Sequence, residues 1–519
     1  MIGVAGTLLV LAIGASSVAH AQFWQEVPIE APDDVTPDGL FGAALDVRGD
    51  LLVVGAPGSN AGAPGSGSAY LFGRNTEGLR TWGFLQRLLP PAPFTGGGFG
   101  TQVMFHDDAI FISSPRERVA GVTRGAVHAY RYDPVEGNWV HQQIVVPNVV
   151  QWQLAAGANL SEAGDLLVAY APGYDAIPSD PLPGSGAMIT FLPGDDGLFL
   201  EARNVPGDVL VPTVVSPSLQ GWSGGCGSSL YYVGNDAKAY SMPREALRST
   251  LDPLPAPSPV LLGDPFDPLD PSLQILNGAV DGTSLYLVVS VPLQPPPPPS
   301  EPQAYRVCVH FMCSDNDLGQ QGHVVSDTAN NQLIWKWGEA VAAGEGFVIV
   351  GDPGDLTFTP LGYAEVFRPD PSAATQWSRC GVLIPSDPEY GARFGLAVAV
   401  GDGFAVVGAP EQGDQDRGKV YGFVDPLAGI PPRDPGPRLR IYPSPVRSNA
   451  ATSPVHIDLP ATPGSLVLTT TDGRYVGSRA VHGPVTWDLV GEAAGSYVFS
   501  WRSVNGAFQP RSATLVILP

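Results

Sequence analysis

The sequence predicts an all-β chain: a seven-bladed β-propeller closed by its N-terminal strand, followed by a small β-sandwich. Three observations carry this expectation. A phrase running from Phe41-Gly42 to Ala69-Tyr70-Leu71-Phe72 recurs, and a fixed period of roughly sixty residues signals a repeat architecture. Each recurrence holds short apolar runs separated by Gly and Pro, in a chain with 63 glycines and 54 prolines. Beyond the N-terminus no long window has the 3.6-residue periodicity of an amphipathic helix. At 519 residues the chain exceeds a single ordinary core, so an array or several domains is required.

The repeats are set in register by an FG-like dipeptide that precedes an apolar strand. Phe41-Gly42, Phe99-Gly100, Ala156-Gly157, Gln220-Gly221, Leu276-Asn277, Trp337-Gly338 and Phe394-Gly395 mark seven copies, of which the fifth is the most degenerate. Each unit carries an FG strand, a VVGAP-like strand and an AYLF-like strand. A fourth apolar segment, opened by an aromatic residue, stands at Trp82, Trp139, Phe199 and Trp377. Four strands per unit describe a propeller blade. Trp24 opens a matching fourth segment ahead of the first FG unit, whereas none follows Phe423. Pairing these two ends closes the ring and removes an exposed edge.

The words Phe41-Gly42…Val53-Val54-Gly55-Ala56-Pro57 and Phe394-Gly395…Val406-Val407-Gly408-Ala409-Pro410 resemble the FG-GAP repeat. The resemblance spans most of 22–425 and is clearest in the first and last units. It implies a propeller like that at the head of integrin α chains and in many exported bacterial proteins. Such repeats often hold calcium in an Asp-rich loop ahead of the VVGAP strand. Here that loop is reduced to Val47-Arg48-Gly49-Asp50, Gly164-Asp165 and Gly401-Asp402-Gly403. One carboxylate on a tight turn cannot supply the six to eight oxygens calcium takes. Two other acidic loops alternate oxygen ligands, and Asp315, Asp317, Asp414 and Asp416 are the candidate metal residues, for Ca2+ if any cation binds. No other cofactor is expected.

Outside the repeats, residues 1–21 read as a secretory signal peptide, with an apolar run too short to span a bilayer and an Ala19-His20-Ala21 cleavage site. Export makes the four cysteines potential disulfide partners. Cys308 and Cys313 are close enough in sequence for a local loop, leaving Cys226 and Cys380, and spacing does not fix the pairing. A zinc site at Cys308, His310 and Cys313 lacks a second ligand cluster. The proline run at 295–299 reads as an extended surface insertion.

Residues 426–437 are Pro-rich and read as a linker, and 438–519 as the sandwich of short alternating strands, with a hairpin at Asp472-Gly473. The order Tyr442-Pro443-Ser444-Pro445, Asp472-Gly473-Arg474, Trp487-Asp488-Leu489 and Gly495-Ser496-Tyr497 resembles the C-terminal sorting domain of type IX secretion substrates. That family usually has Asn at the place of Ser444, and the Ig-like domain of flagellar hook-capping proteins shares much of the pattern. The resemblance implies passage to the cell surface or medium.

With 27 basic against 50 acidic side chains, the net charge of −23 repels phosphate backbones and anionic lipid, which disfavours nucleic acid as a partner. Arg48-Gly49-Asp50 spells an integrin-read tripeptide, but Gly-Asp recurs in the same place as the hairpin of the repeat. Gly221-Trp222-Ser223-Gly224-Gly225 matches a nucleophile elbow, yet stands in the FG slot with no helix after it. No catalytic residue is assigned. The expected function is an exported, non-catalytic protein offering a propeller face to a protein or glycan. The alternative is a secreted polysaccharide hydrolase or lyase whose carboxylates converge on the propeller axis.

Overall fold

The structure is a computed structural model. It describes residues 24–74, 81–149, 155–174, 186–194, 196–206, 222–234, 237–248, 254–260, 273–281, 284–292, 304–313, 318–325, 337–344, 346–354, 361–370 and 373–425. Beyond these it describes 440–442, 446–447, 454–458, 463–470, 475–482, 485–488, 495–503 and 511–518. The chain divides into two compact units, Met1–Leu427 and Ala428–Pro519. The leader at 1–21, the proline run at 295–299, the linker at 426–437, Pro443, Ser444, Pro445 and the Asp472-Gly473 hairpin lie outside the described residues.

The first unit is the seven-bladed propeller. Each blade starts with an FG strand on the inside: Ala44–Arg48, Val103–His106, Asn159–Ala163, Ser223–Cys226, Gln274–Val280, Ala340–Gly344 and Ala397–Gly401 for blades 1 to 7. Every inner strand packs against the next, and that of blade 7 against that of blade 1, so the ring is closed. The second and third strands follow outward in antiparallel order, as Leu51–Ala56 and Ser68–Arg74 do in blade 1. The outer strand of blade 7 is Gln25–Ile29, paired antiparallel with Lys419–Val424 from Gln25↔Val424 to Ile29↔Val420. The sequence repeat and the blade are thus offset by one strand, and that offset produces the closure.

Two outer strands were not legible. Blade 4 ends in the two-residue strand Ser258–Pro259. Blade 5 ends in Leu318–Val325, which touches the blade 6 outer strand Ala373–Leu383 in parallel at His323↔Gln376 and joins the two sheets.

The geometry of the ring explains the repeated words. The FG phenylalanine is buried and meets the rings of its own third strand edge-on. Phe41 stands 5.6 Å from Tyr70 and 5.9 Å from Phe72, and Phe394 stands 5.5 Å from Tyr421 and 6.1 Å from Phe423. The FG glycine has φ of +94° at Gly42, +93° at Gly100 and +95° at Gly395, a conformation that disfavours any side chain. Its carbonyl then lies over the GAP glycine of the preceding blade. A Cβ on Gly55 would sit 2.0 Å from the Gly100 carbonyl oxygen, and one on Gly408 would sit 2.1 Å from that of Gly42. FG and GAP are therefore the two halves of one seam between consecutive blades.

Blade 6 replaces the phenylalanine by Trp337, whose indole N–H needs an acceptor in the core. The third strand supplies it: Trp337 Nε1 donates to Glu365 Oε2 at 2.9 Å, and Arg379 donates to Glu365 Oε1 at 2.6 Å.

A second seam runs between the outer strands. Gln86 Nε2 donates to the Trp139 carbonyl at 2.7 Å while Gln86 Oε1 accepts the Trp139 N–H at 2.8 Å. Gln143 holds both backbone groups of Phe199 in the same way, each at 2.7 Å. These glutamines stand four residues after the aromatic of their own blade and bind the aromatic position of the next. Gln86→Ala is expected to cost about 1–3 kcal/mol, because it leaves two backbone groups of Trp139 without their partner. A shift of the urea midpoint at unchanged m-value measures it.

Cys226 is disulfide-bonded, whereas Cys308 and Cys380 are free thiols. The local Cys308–Cys313 loop therefore does not form. Both residues belong to the single strand Ala304–Cys313, where five residues of extended chain separate Cα atoms by about 17 Å, far beyond disulfide reach.

The second unit contains two sheets. Arg440–Tyr442, Pro454–Asp458 and Val485–Asp488 form one, and Val446–Arg447, Arg511–Leu518, Gly495–Ser503, Pro463–Thr470 and Tyr475–His482 the other. Val455, Ile457, Leu466, Leu468 and Phe499 are buried, and Trp487 meets Phe499 edge-on at 5.3 Å.

Candidate functional site

The inner strands are chemically lopsided. Blades 6 and 7 present Ala-Val-Ala-Ala-Gly and Ala-Val-Ala-Val-Gly, and blade 5 presents no ionisable side chain on its inner strand. Blade 4 offers Ser223, Gly224, Gly225 and the disulfide-bonded Cys226. The charged residues of the inner strands, Asp46, Arg48, His106 and Glu162, all come from blades 1 to 3.

These side chains meet across the blades. Asp46 Oδ1 accepts the N–H of Val47 at 2.8 Å, and Oδ2 accepts that of Phe105 in blade 2 at 2.6 Å. Burial pushes the Asp46 carboxyl up to about 7, with a contribution from the Glu162 charge, against the opposing pull of the two backbone N–H groups and Arg48. Arg48 donates to the carbonyls of Phe105, at 3.2 Å, and Asp107, and stands 3.9 Å from Glu162. Glu162 Oε2 is 2.8 Å from Nδ1 of His106, which is 1% exposed. The other nitrogen of His106 faces Asp107 Oδ2 at 3.8 Å. At the edge of this patch Arg131 pairs with Asp108 at 3.2 Å, and Arg248 of blade 4 pairs with Asp165 at 2.6 Å.

Burial by itself would lower the His106 pKa, but the hydrogen bond and charge of Glu162, aided by Asp107, overcome it and hold the ring above its ordinary value. A raised histidine stabilises the fold fully below the unfolded-state value of about 6.5, and that contribution disappears as pH rises through the folded value. Stability is therefore expected to fall on the alkaline side of about 6.5. Glu162→Gln should remove this slope and cost about 1–2 kcal/mol below it, the worth of a charge-assisted hydrogen bond. Thermal midpoints from pH 5 to pH 9 for the two proteins check it.

Of the candidate metal residues, Asp315 and Asp317 lie outside the described residues. Asp414 and Asp416 are exposed on a turn in which Gln415 and Asp416 have φ of +57° and +50°. Main-chain carbonyls join this turn to blade 1. The carbonyls of Gln415, Asp416 and Arg417 accept the N–H groups of Asp38, Leu40 and Phe41 at 2.6, 3.1 and 2.9 Å. The turn carries the FG segment of blade 1 on blade 7. Among the described residues no group of three or more His, Cys, Asp or Glu side chains is arranged to hold a metal ion.

The two motif-like strings are also placed. Arg48 of the RGD string is bound back onto blade 2 carbonyls, and Gly49 turns the hairpin with φ of +59°. Ser223 of the GxSxG string sits in the inner strand of blade 4, its hydroxyl against that of Ser161, with Gly225 packed on Ala163.

Residues 24–72 and 377–423 match the FG-GAP repeat. Each matched stretch starts on an outer strand and ends on the third strand of the next blade, the offset seen at the closure. No curated protein matches the chain. Solved structures that match the chain include PorZ, described as an essential bacterial surface component of the type-IX secretion system of Porphyromonas gingivalis. It is 9% identical with a TM-score of 0.26, over 92% of this chain and 75% of that one. The extracellular domain of a protein assigned to a hybrid two-component system of B. thetaiotaomicron is 8% identical with a TM-score of 0.42, over 96% of this chain and 60% of that one. A protein from Lactobacillus plantarum is 11% identical with a TM-score of 0.37, over 69% of this chain and 86% of that one. At these values none of the three bears on activity or partner. Among the described residues no helix is long and apolar enough to cross a membrane.

Proposed function

We propose that the protein is an exported, non-catalytic binding protein whose propeller presents a face to a protein or glycan ligand, with the C-terminal unit serving secretion or surface sorting. The observation that carries the reading is the state of the charged patch on blades 1 to 3. Its groups are already engaged, mostly with main chain: both Asp46 oxygens accept backbone N–H groups, Arg48 is bound to two carbonyls, and Glu162 is bound by His106. Such an arrangement fixes a polar surface in place rather than freeing an acid and a base. The leader-like residues 1–21 and the sorting-like phrases of the tail support export.

Glycan and protein arrays probed with the full chain, run beside a hydrolysis assay on the same polysaccharides, test the binding reading. Retention without cleavage is expected, and cleavage overturns it. Deleting 438–519 in the native host is expected to trap the protein in the periplasm, and normal export of the truncated form sinks the sorting role.

One observation favours the second reading, a polysaccharide hydrolase or lyase. Asp46, pushed up to about 7, shares its patch with Glu162, and a carboxyl that titrates near neutrality suits a general acid. In that case Asp46→Asn abolishes cleavage.

A further inference from the structure

Blade 2 carries a second polar cluster that the binding surface does not use. Glu117, on the segment between the second strand Ala109–Ser114 and the third strand Ala126–Asp133, is 5% exposed. Its Oε2 lies 2.7 Å from Nε2 of His128, which is fully buried on the third strand. Nδ1 of His128 in turn lies 3.2 Å from Nε2 of His141, half-buried on the outer strand Asn138–Val145. A line of hydrogen bonds thus runs from the rim of the blade to a buried carboxylate. Its rings are wedged between aromatics: Phe99 stands 5.2 Å from His128, and Tyr130 stands 5.2 Å from His141.

The backbone of Glu117 holds the seam to blade 3. Its carbonyl accepts the N–H groups of Arg124, at 3.2 Å, and Gly125, at 3.1 Å, closing a two-stranded ribbon in which Arg118 pairs with Thr123 and Val119 with Val122. The Arg124 carbonyl then accepts the N–H of Ala156, the residue at the FG phenylalanine position of blade 3, at 3.0 Å. Blade 1 holds blade 2 by the same bond, Phe99 N–H to the Ser66 carbonyl at 2.9 Å, but its loop at 57–67 contains no titratable residue. The cluster is therefore an addition to the repeat and not a requirement of it.

We propose that Glu117, His128 and His141 form a proton-sensitive latch that fastens this ribbon, and through it the blade 2–3 seam, near neutral pH and loosens it in acid. The Glu117 carboxylate accepts from Nε2 of His128, and the facing nitrogens, Nδ1 of His128 and Nε2 of His141, have room for one hydrogen between them, whichever ring carries it. When both rings are fully protonated, each facing nitrogen bears an N–H and two positive rings are set against each other. Burial and then the neighbouring His128 charge lower His141 to about 4, in keeping with this arrangement. The sign follows from linkage. The unfolded chain takes up the His141 proton near 6.5 while the folded chain refuses it down to about 4, so stability falls as pH drops through that window. Of the other groups facing the cluster, Tyr130 is raised by burial and by the Glu117 charge, and Arg124 donates to the Pro147 carbonyl at 3.3 Å.

Hydrogen–deuterium exchange of the full chain from pH 7 to pH 4, corrected for intrinsic rates, tests the latch against its internal control. The amides of Arg124, Gly125 and Ala156 are expected to lose about tenfold or more of their protection relative to Phe99, as two like charges are forced together. In His141→Gln the relative protection should be independent of pH. A constant ratio between the two loops in the wild-type protein overturns the proposal, and so does an unchanged acid step in His141→Gln. If that variant misfolds, the wild-type ratio alone decides.

Discussion

Gly55→Ala is expected to weaken the propeller by about 3 kcal/mol, at the upper end of what overpacking a well-packed site costs. The added methyl would lie 2.0 Å from the carbonyl oxygen of Gly100, which is main chain and cannot turn aside as a flexible side chain would. Gly100 itself is held by φ of +93° and by a hydrogen bond from its N–H to the Ser113 carbonyl at 2.9 Å. Relief therefore requires blade 2 to move away from blade 1 as a body. Gly121→Ala is the matched control: its Cβ would meet nothing within 4 Å, although its own φ of +85° adds a local strain of about 1 kcal/mol. Chemical denaturation of the two variants gives the comparison, and equal losses would show that the methyl at Gly55 is accommodated without parting the blades.

Replacing 24–29 by a Gly-Ser linker should have a still larger effect. The strand Gln25–Ile29 makes five register pairs with blade 7 and buries Ile29, while Trp24 lies edge-on to Phe347 at 5.4 Å. Burial of Ile29 alone is worth about 1.5–3 kcal/mol, and with Trp24 and the ladder the loss is on the order of 5 kcal/mol. Blade 7 is then left with an open edge, so self-association is expected alongside the lower midpoint. A synthetic peptide covering 22–31 added in trans should restore both properties. An unchanged midpoint in the replaced chain would mean that the ring closes by another route.

These effects also show which parts of the structure were legible in the sequence. FG and GAP could be read because each blade must solve the same close approach with the same residue type. Gly55, Gly408, Gly42 and Gly395 are glycines for one steric reason repeated around the ring. The closure was legible because Trp24 repeats the aromatic that opens the other outer strands. The glutamine clamps also repeat, at Gln86 and Gln143, but two copies four residues beyond an aromatic make a faint pattern in a chain of this length.

The charged patch was not legible. Asp46, His106 and Glu162 lie about a blade apart in sequence and do not occupy equivalent positions on their strands, so no spacing connects them. The main-chain role of the turn at Asp414 and Asp416 was not legible either. Alternating carboxylates look like cation ligands, whereas the turn is shaped by the carbonyls that carry Asp38, Leu40 and Phe41. The disulfide was hidden as well, since strand geometry, and not closeness in sequence, excludes Cys308 from pairing with Cys313.

The binding reading and the catalytic reading part at Asp46. Incubating the full chain with a large molar excess of whichever glycan it retains, and counting new reducing ends or unsaturated products per protein molecule over time, decides between them. Retention of the glycan with no product formed, and retention weakened by Arg48→Ala, is the expected result. Product accumulating beyond one equivalent per protein molecule and abolished by Asp46→Asn would contradict it.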